Sequence, residues 1–115
     1  MSTANPIKQI FDLDGATIEL DAMARICKAM GHPVRMRIIE FLKAEKQCYC
    51  GQIVNHLPLA QSTVSQHLKN LKDAGVIIGE VEGPGTCYCL NKSLLKQFKN
   101  NLAKFIDECQ EQGPP

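Results

Sequence analysis

The sequence is poor in aromatic residues and in net charge. It has no tryptophan, two tyrosines and four phenylalanines, so stacking of single-stranded bases on aromatic rings is not expected. Thirteen basic residues are balanced by twelve acidic ones, which leaves a net charge of +1. This balance excludes a histone-like polyelectrolyte, and any binding of nucleic acid must come from a locally basic face.

Long apolar runs and leader-like segments are also lacking. No run approaches the ~20 apolar residues that span a membrane. The segment from Met1 to Pro6 lacks the charged and apolar regions of a signal peptide. We therefore expect a cytoplasmic protein without a membrane partner. With 115 residues it can form one domain, but oligomerisation would help to stabilise a chain of this size.

The sequence lacks the motifs of the common classes of enzyme. No nucleophilic side chain stands in a motif with a general base, and no glycine-rich loop that could cradle a phosphate group is present. We therefore predict that the protein is not an enzyme.

Helical periodicity marks both ends of the folded region. The first helix is predicted from Thr17 to Met30, a second begins at Pro33, and the last runs from Asn91 to about Glu111. A short chain has little internal core for long first and last helices to cover, which favours a dimer formed through them. The predicted units are an N-terminal arm at 1–16, a folded domain at 17–111 and a disordered tail at 112–115.

The stretch from Cys48 to Asn91 organises the rest of the chain. Its predicted elements are a strand at 47–50, helices at 51–57 and 61–72, and strands at 76–81 and 86–90. A gap of about three residues between the two helices is typical of a helix-turn-helix, and the hairpin that follows is a wing. The predicted fold is mainly α with a small β-wing: a winged helix-turn-helix, dimeric through its first and last helices.

The helix at 61–72 has two contrasting faces. Val64, Leu68 and Leu71 recur at the spacing of a buried stripe. The opposite face carries hydrogen-bonding side chains that suit base edges and phosphate oxygens, namely Ser62, Ser65, Gln66 and Lys69. An ordinary solvated face is the alternative, although such a face is more often rich in Glu and Lys. This face therefore predicts a contact with a nucleic-acid partner.

Six cysteines form the second signal, and four of them make two Cys-x-Cys pairs: Cys48, Cys50, Cys87 and Cys89. In a secreted protein an even number would indicate disulfides, whereas in a reducing cytosol it favours metal ligation, metalloid ligation or redox sensing. Residues i and i+2 of a strand lie on one face, so both thiolates of a pair can reach one soft ion.

The order helix, helix, strand, helix-turn-helix, wing, helix resembles that of the ArsR/SmtB family of winged-helix transcriptional repressors. The residues that carry the resemblance are Lys28–Ile39, Cys48–Cys50, Gln61–Lys69 and Leu71–Ile77, and it spans roughly 19–107. The family implies a cytoplasmic homodimer, held together by its first and last helices. Such a dimer binds double-stranded operator DNA and leaves it when an inducer binds.

The resemblance also implies roles for individual residues. It places the helix that starts near Gln61 in the major groove, so that the candidate contacts to bases and phosphates are Gln61, Ser62, Thr63, Ser65 and Gln66, with Lys69 on a phosphate. Arg35 and Arg37 are either further phosphate contacts or partners of acidic residues. The wing departs from the family pattern, since Gly79–Thr86 has two acids and no base, and we expect it to add little affinity.

Several family members bind arsenite, antimonite, cadmium or lead at a Cys-x-Cys before the helix-turn-helix. Some have a third cysteine three residues on, where this chain has Ile53. In winged helices this strand pairs with the second wing strand, which would bring Cys48 and Cys50 beside Cys87 and Cys89. No cofactor is required, but the four sulfurs could hold As(III), Sb(III), Zn²⁺ or Cd²⁺, close cross-strand disulfides, or pack as small apolar groups.

Several alternatives stay open at this point. Cys27 and Cys109 lie on apolar stripes and are expected in the core or at the dimer interface, and the three histidines are expected to be structural. The protein could also be a winged-helix DNA binder whose cysteines only pack and which has no inducer. The third hypothesis is a winged-helix module that binds another protein, and the acidic wing and the near-zero net charge would suit it.

Overall fold

A computed structural model describes residues 15–82, 85–109 and 113–114. Its elements are α1 (Gly15–Met30), α2 (Pro33–Ala44), β1 (Tyr49–Cys50), a 3-10 helix (Ile53–His56), α3 (Gln61–Asp73), β2 (Ile77–Glu82), β3 (Gly85–Leu90) and α4 (Lys92–Asp107). Outside the described residues lie the predicted N-terminal arm before Gly15, the turn residues Gly83 and Pro84, Gln110 and Glu111 of the predicted last helix, and Gln112 and Pro115 of the predicted tail.

The architecture is a winged helix-turn-helix, as predicted. β1, β3 and β2 form a three-stranded antiparallel sheet in that order, so the strand before the helix-turn-helix pairs with the second wing strand. Most boundaries shift by one or two residues from the predictions, and three features differ more. β1 begins at Tyr49, the brief helix is a single 3-10 turn, and α4 ends at Asp107, before Glu111.

The core lies between α1, α2, α3 and the sheet. The predicted stripe of α3 is buried, with Val64, Leu68 and Leu71 at 2%, 8% and 0% exposure. Ile38 of α2 and Ile77 of β2 are buried in the same cluster. Burying a side chain of this size contributes about 1.5–3 kcal/mol relative to leaving it exposed. The position of α3 is therefore fixed by its apolar side, which leaves its polar side free.

The end of α3 is set by a glycine. Gly75 has a φ of +83°, a conformation that a side chain would strain, and an added Cβ would lie 2.8 Å from Leu94 Cδ1. The Gly75 N–H donates to Lys72 O and the Val76 N–H donates to Leu71 O, which is a Schellman motif. This cap turns the chain from α3 into the wing.

Asn91 links the end of α3 to the start of α4. Its Oδ1 accepts a hydrogen bond from the Leu94 N–H at 3.2 Å, which caps α4, and its Nδ2 donates to Gly75 O at 3.0 Å. Its backbone N–H donates to Val76 O at 2.9 Å. The orientation of α4 is thereby tied to that of α3.

α4 packs against α1 but none of its residues is buried. Phe105 and Ile106 are 48% and 57% exposed, whereas Leu94, Phe98 and Leu102 are half-buried. Within the described residues, no helix is long and apolar enough to cross a membrane.

Replacing Leu71 by Ala should lower the free energy of unfolding by about 2–5 kcal/mol, because it leaves a cavity at a fully buried position. Met36→Ala also shortens an apolar side chain, but one that is 49% exposed, and should change that free energy by no more than about 0.5 kcal/mol. Urea unfolding followed by circular dichroism measures both variants. Equal losses in the two would contradict the central place of Leu71 in the core.

Candidate nucleic-acid interface

The predicted contact residues all lie on the solvent-exposed side of α3: Gln61, Ser62, Thr63, Ser65, Gln66 and Lys69. They share this face because the opposite stripe is held in the core. Their short polar side chains and the single cation can donate to phosphate oxygens and read base edges. These residues form a solvent-exposed hydrogen-bonding surface on a helix that is fixed by its packing in the core.

Lys69 is paired in the free protein. Its Nζ lies 2.8 Å from Asp73 Oδ2, one helical turn along, and both side chains are more than 60% exposed, at 66% and 62%. Exposed pairs of this spacing contribute only about 0.3–0.5 kcal/mol. The pair therefore presents little obstacle to transferring the Lys69 ammonium to a phosphate.

Arg35 has partners that the sequence did not predict. Its Nε donates to His67 Nδ1 at 3.1 Å, and its Nη1 donates to the carbonyl of Ala29 at 3.3 Å. Within the described part of the chain no carboxylate pairs with it. The half-buried Arg35 thus connects α2 with the end of α1 and with the middle of α3, while Arg37 is exposed.

His67 must be neutral at Nδ1 to accept this hydrogen bond, because arginine only donates. Burial lowers the pKa of His67 below its ordinary value near 6.5, and the neighbouring His32 and Arg35 lower it further. The rings of His32 and His67 lie 4.5 Å apart. The cluster of Arg35, His67 and His32 therefore holds α3 against α2 while His67 is neutral.

The other two histidines have structural contacts, as expected. His32 caps α2, since its Nδ1 accepts from the Val34 N–H at 3.1 Å. His56 Nε2 lies 3.0 Å from the Tyr49 hydroxyl, and its ring packs on Phe41 at 4.4 Å. These contacts fix β1 and the 3-10 helix against α2.

The four clustered cysteines meet across β1 and β3. Tyr49 is opposite Tyr88 and Cys50 is opposite Cys87, so the predicted strand pairing is confirmed. The sulfurs form two disulfides, Cys48–Cys89 and Cys50–Cys87, whose Cα atoms are 4.5 and 4.1 Å apart. A metal ligand must be a thiolate. In this disulfide form, the described residues contain no group of three His, Cys, Asp or Glu side chains arranged to hold a metal ion.

Cys27 and Cys109 are exposed free cysteines in the single chain. The expectation that they lie in the core of the protomer is therefore wrong. Cys27 lies beside the buried stripe of Met23 and Ile26 rather than on it, and Cys109 follows the end of α4. Their place at a dimer interface stays a prediction.

A cleft of about 520 Å³ lies between α3 and the sheet. Gln61, Val64 and Ser65 line it from α3, and Cys50 and Cys87 line it from the sheet. Sequence reasoning missed the cleft, because its two walls are brought together only by packing. The polar side of α3 and one disulfide thus share a surface.

The chain resembles known helix-turn-helix regulators. A family model described as a helix-turn-helix domain matches residues 30–80. HTH-type transcriptional regulator CmtR of Mycobacterium tuberculosis is 35% identical over 85 residues, which cover 74% of this chain and 71% of CmtR. Transcriptional repressor SdpR of Bacillus subtilis is 31% identical over 86 residues, covering 75% and 94%. The arsenical resistance operon repressor of Staphylococcus xylosus is 29% identical over 80 residues, covering 70% and 76%.

Solved structures show the same architecture. The NMR structure of the cadmium metal-sensor CMTR from Mycobacterium tuberculosis matches with a TM-score of 0.52 and 32% identity, covering 81% of this chain and 95% of that one. A homodimeric winged helix-turn-helix DNA-binding domain from Mycobacterium bovis matches with a TM-score of 0.63 over 100% of this chain and 99% of that one. At 19% identity, the second likeness concerns the fold alone.

The lowered pKa of His67 predicts a stability that depends on pH. The unfolded chain takes up a proton at this histidine more readily than the folded chain does, so folding releases that proton. The contribution is complete above about pH 6.5, falls as the pH drops below the unfolded pKa, and levels off below the folded one. Urea unfolding at several pH values between 5 and 8 should show a shallower slope of the unfolding free energy against pH in His67→Gln than in the wild type. Identical slopes in wild type and His67→Gln would contradict this role.

Proposed function

Because this chain belongs to the ArsR/SmtB family of winged helix-turn-helix transcriptional regulators, we propose that it is a cytoplasmic, dimeric repressor of the ArsR type. In this proposal it binds double-stranded operator DNA, and a thiol-reactive inducer at the cysteines of β1 and β3 releases it. The named relatives are transcriptional regulators, and no catalytic role is proposed.

One observation carries the proposal: α3 exposes its polar residues on one face while Val64, Leu68 and Leu71 fix it in the core. A helix seated in this way can enter a major groove without rearrangement of its backbone. Gln61, Ser65 and Gln66 then act as base-reading side chains, with Ser62, Thr63 and Lys69 oriented toward the phosphates. The wing carries the exposed acid Glu80 and is expected to add little phosphate binding.

Dimerisation is proposed through α1 and α4. The two helices pack together, and α4 leaves Phe105 and Ile106 largely exposed at its C-terminal end. Apolar side chains of this size at one end of a helix are suited to burial against a second copy. A dimer sets the distance between two α3 helices, and that distance must match the spacing of the half-sites on DNA.

The inducer is proposed to react at Cys48, Cys50, Cys87 and Cys89. In the reduced protein these residues offer four soft donors on one face of the sheet, which fits As(III), Sb(III), Cd²⁺ or Zn²⁺ by donor type. An oxidant would instead close the disulfides seen here. Relatives named as a cadmium metal-sensor and as an arsenical resistance operon repressor support a soft ligand.

Substitutions on α3 should separate base reading from phosphate binding. Gln66→Ala should weaken binding to the operator by about 1–3 kcal/mol and relax the preference at one base position, because a side-chain contact to a base edge is lost. Lys69→Ala should weaken binding to all duplexes and reduce the salt slope by about 1. Fluorescence anisotropy with a duplex from the upstream region of the gene and with a scrambled duplex measures both effects. Lys43→Ala, which removes an exposed cation at the end of α2 that is also paired with an acid, Glu40, is the control and should leave both unchanged.

Arsenite is the first inducer to test. Added in stoichiometric amount to the reduced protein on DNA, it should lower the anisotropy, and Cys48→Ser with Cys50→Ser should abolish this response. If arsenite still releases the variant with Cys48→Ser and Cys50→Ser from DNA, the inducer site lies elsewhere. Full binding without any release would favour a DNA binder whose cysteines only pack. No binding to any upstream duplex, at any salt concentration, would favour a protein-interaction module.

A further inference from the structure

The two disulfides differ in what surrounds them. We call Cys50–Cys87 the inner pair and Cys48–Cys89 the outer pair. The inner pair lines the cleft whose other wall carries Gln61 and Ser65, and Cys87 is only 7% exposed. The outer pair does not line the cleft, and its Cys48 is exposed. Only the inner pair therefore adjoins the face of α3 that is assigned to DNA.

We propose that the inner pair is a reversible thiol–disulfide switch that responds to a two-electron oxidant such as a peroxide. The outer pair clamps β1 to β3 and does not transmit the signal. This inference rests on the proposed repressor function and assigns its regulation to one of the two pairs.

The proposed reaction needs one peroxide and the two thiols of the inner pair. The exposed Cys50, as a thiolate, attacks one peroxide oxygen and becomes a sulfenic acid while water or an alcohol leaves. The Cys87 thiolate then attacks the Cys50 sulfur, the S–S bond forms, and the sulfenic oxygen leaves as a second water. Two thiols are oxidised and one peroxide is reduced. The Cα atoms are 4.1 Å apart, well below the ~7 Å beyond which the backbone would have to move.

The inner pair is connected to α3 through packed residues. Cys50 is closely followed by the 3-10 helix, whose Ile53 is 3% exposed and shares the core with Val64 of α3. Cys87 lies on β3, in the same sheet wall of the cleft as Cys50. Closing the disulfide therefore joins the residues just before the helix-turn-helix covalently to the wing and fixes the sheet wall that faces α3. The reduced pair leaves this part of the wall free to adjust when α3 binds DNA.

The arrangement of the sulfurs favours an oxidant over a tetrahedral ion. The register and the two disulfides place all four sulfurs on the same face of the sheet. Structural Zn²⁺ sites distribute their ligands around the metal, whereas these four reach it from one side. Formation of two separate disulfides does not require sulfurs on all sides of a central ion.

The test compares two matched double variants. Cys50→Ser with Cys87→Ser removes the inner pair, and Cys48→Ser with Cys89→Ser removes the outer pair. Each protein is reduced, and its affinity for the upstream duplex is measured by anisotropy before and after treatment with hydrogen peroxide. Alkylation and mass spectrometry count the disulfides formed. Oxidation should weaken DNA binding by about 5- to 150-fold in the wild type and in the outer-pair variant, and should have no effect in the inner-pair variant.

A second measurement uses only the wild type, so its result does not depend on correct folding of the Cys→Ser variants. By reciprocity, DNA must oppose closure of the inner pair by the same factor by which closure weakens DNA binding. Redox titration of the wild type in a glutathione buffer, with disulfides mapped by mass spectrometry, should show that the duplex shifts Cys50–Cys87 toward the thiols and leaves Cys48–Cys89 unchanged. Equal shifts of both pairs, or of neither, would overturn the inference.

The outcomes separate the two proposals. If the reduced wild type binds no duplex, the repressor function itself fails. If the reduced and oxidised proteins bind DNA equally, or if the outer-pair variant alone loses the response, the repressor function stands and the inner-pair switch is wrong. Zinc alone, added to the reduced protein, should not reproduce the release, and a release by zinc equal to that by peroxide would contradict the preference for pairwise closure.

Discussion

The burial of one side of α3 sets the positions of the elements around it. Val64, Leu68 and Leu71 pack into the cluster that also contains Ile38 and Ile77, so the helix cannot rotate without exposing apolar surface. The candidate nucleic-acid interface follows from this packing. The polar side of the helix is left uncovered, the cleft forms beside it, and the wing extends from its C-terminal glycine cap.

Two polar links hold the same helix from other parts of the chain. Arg35 joins His67 in the middle of α3 to the Ala29 carbonyl of α1, and Asn91 joins the Gly75 carbonyl to the start of α4. α1 and α4 are the helices proposed to form the dimer interface. A change in how two protomers pack would therefore reach α3 through hydrogen bonds as well as through the core, which is the coupling that an operator-binding dimer requires.

The sheet carries the clustered cysteines of this domain. A strand as short as β1 has few backbone hydrogen bonds of its own, and it is held by the aromatic contacts of Tyr49 with Phe41 and by its pairing with β3. Cysteines at directly opposed positions add a bond that can be made and broken. This bond joins the residues just before the helix-turn-helix to the second wing strand.

Several features could be predicted from the sequence, because they arise from local periodicity and side-chain chemistry. The spacing of apolar residues predicted α1, α2, α3 and α4, and the two Cys-x-Cys pairs predicted same-face sulfurs. Given the resemblance to winged helices, the pairing of β1 with β3 followed as well, since strand order is a property of that fold.

The contacts between distant residues could not be predicted, because they form when separate elements pack together. Arg35 was expected to bind phosphate or a carboxylate, yet its partner is His67, 32 residues away, because a long cationic side chain takes whichever acceptor the packed helices bring near. The cleft, the difference between the inner and outer cysteine pairs, and the exposure of Cys27 and Cys109 are likewise products of packing. Periodicity specifies which side of an element is apolar, but not which other element covers it.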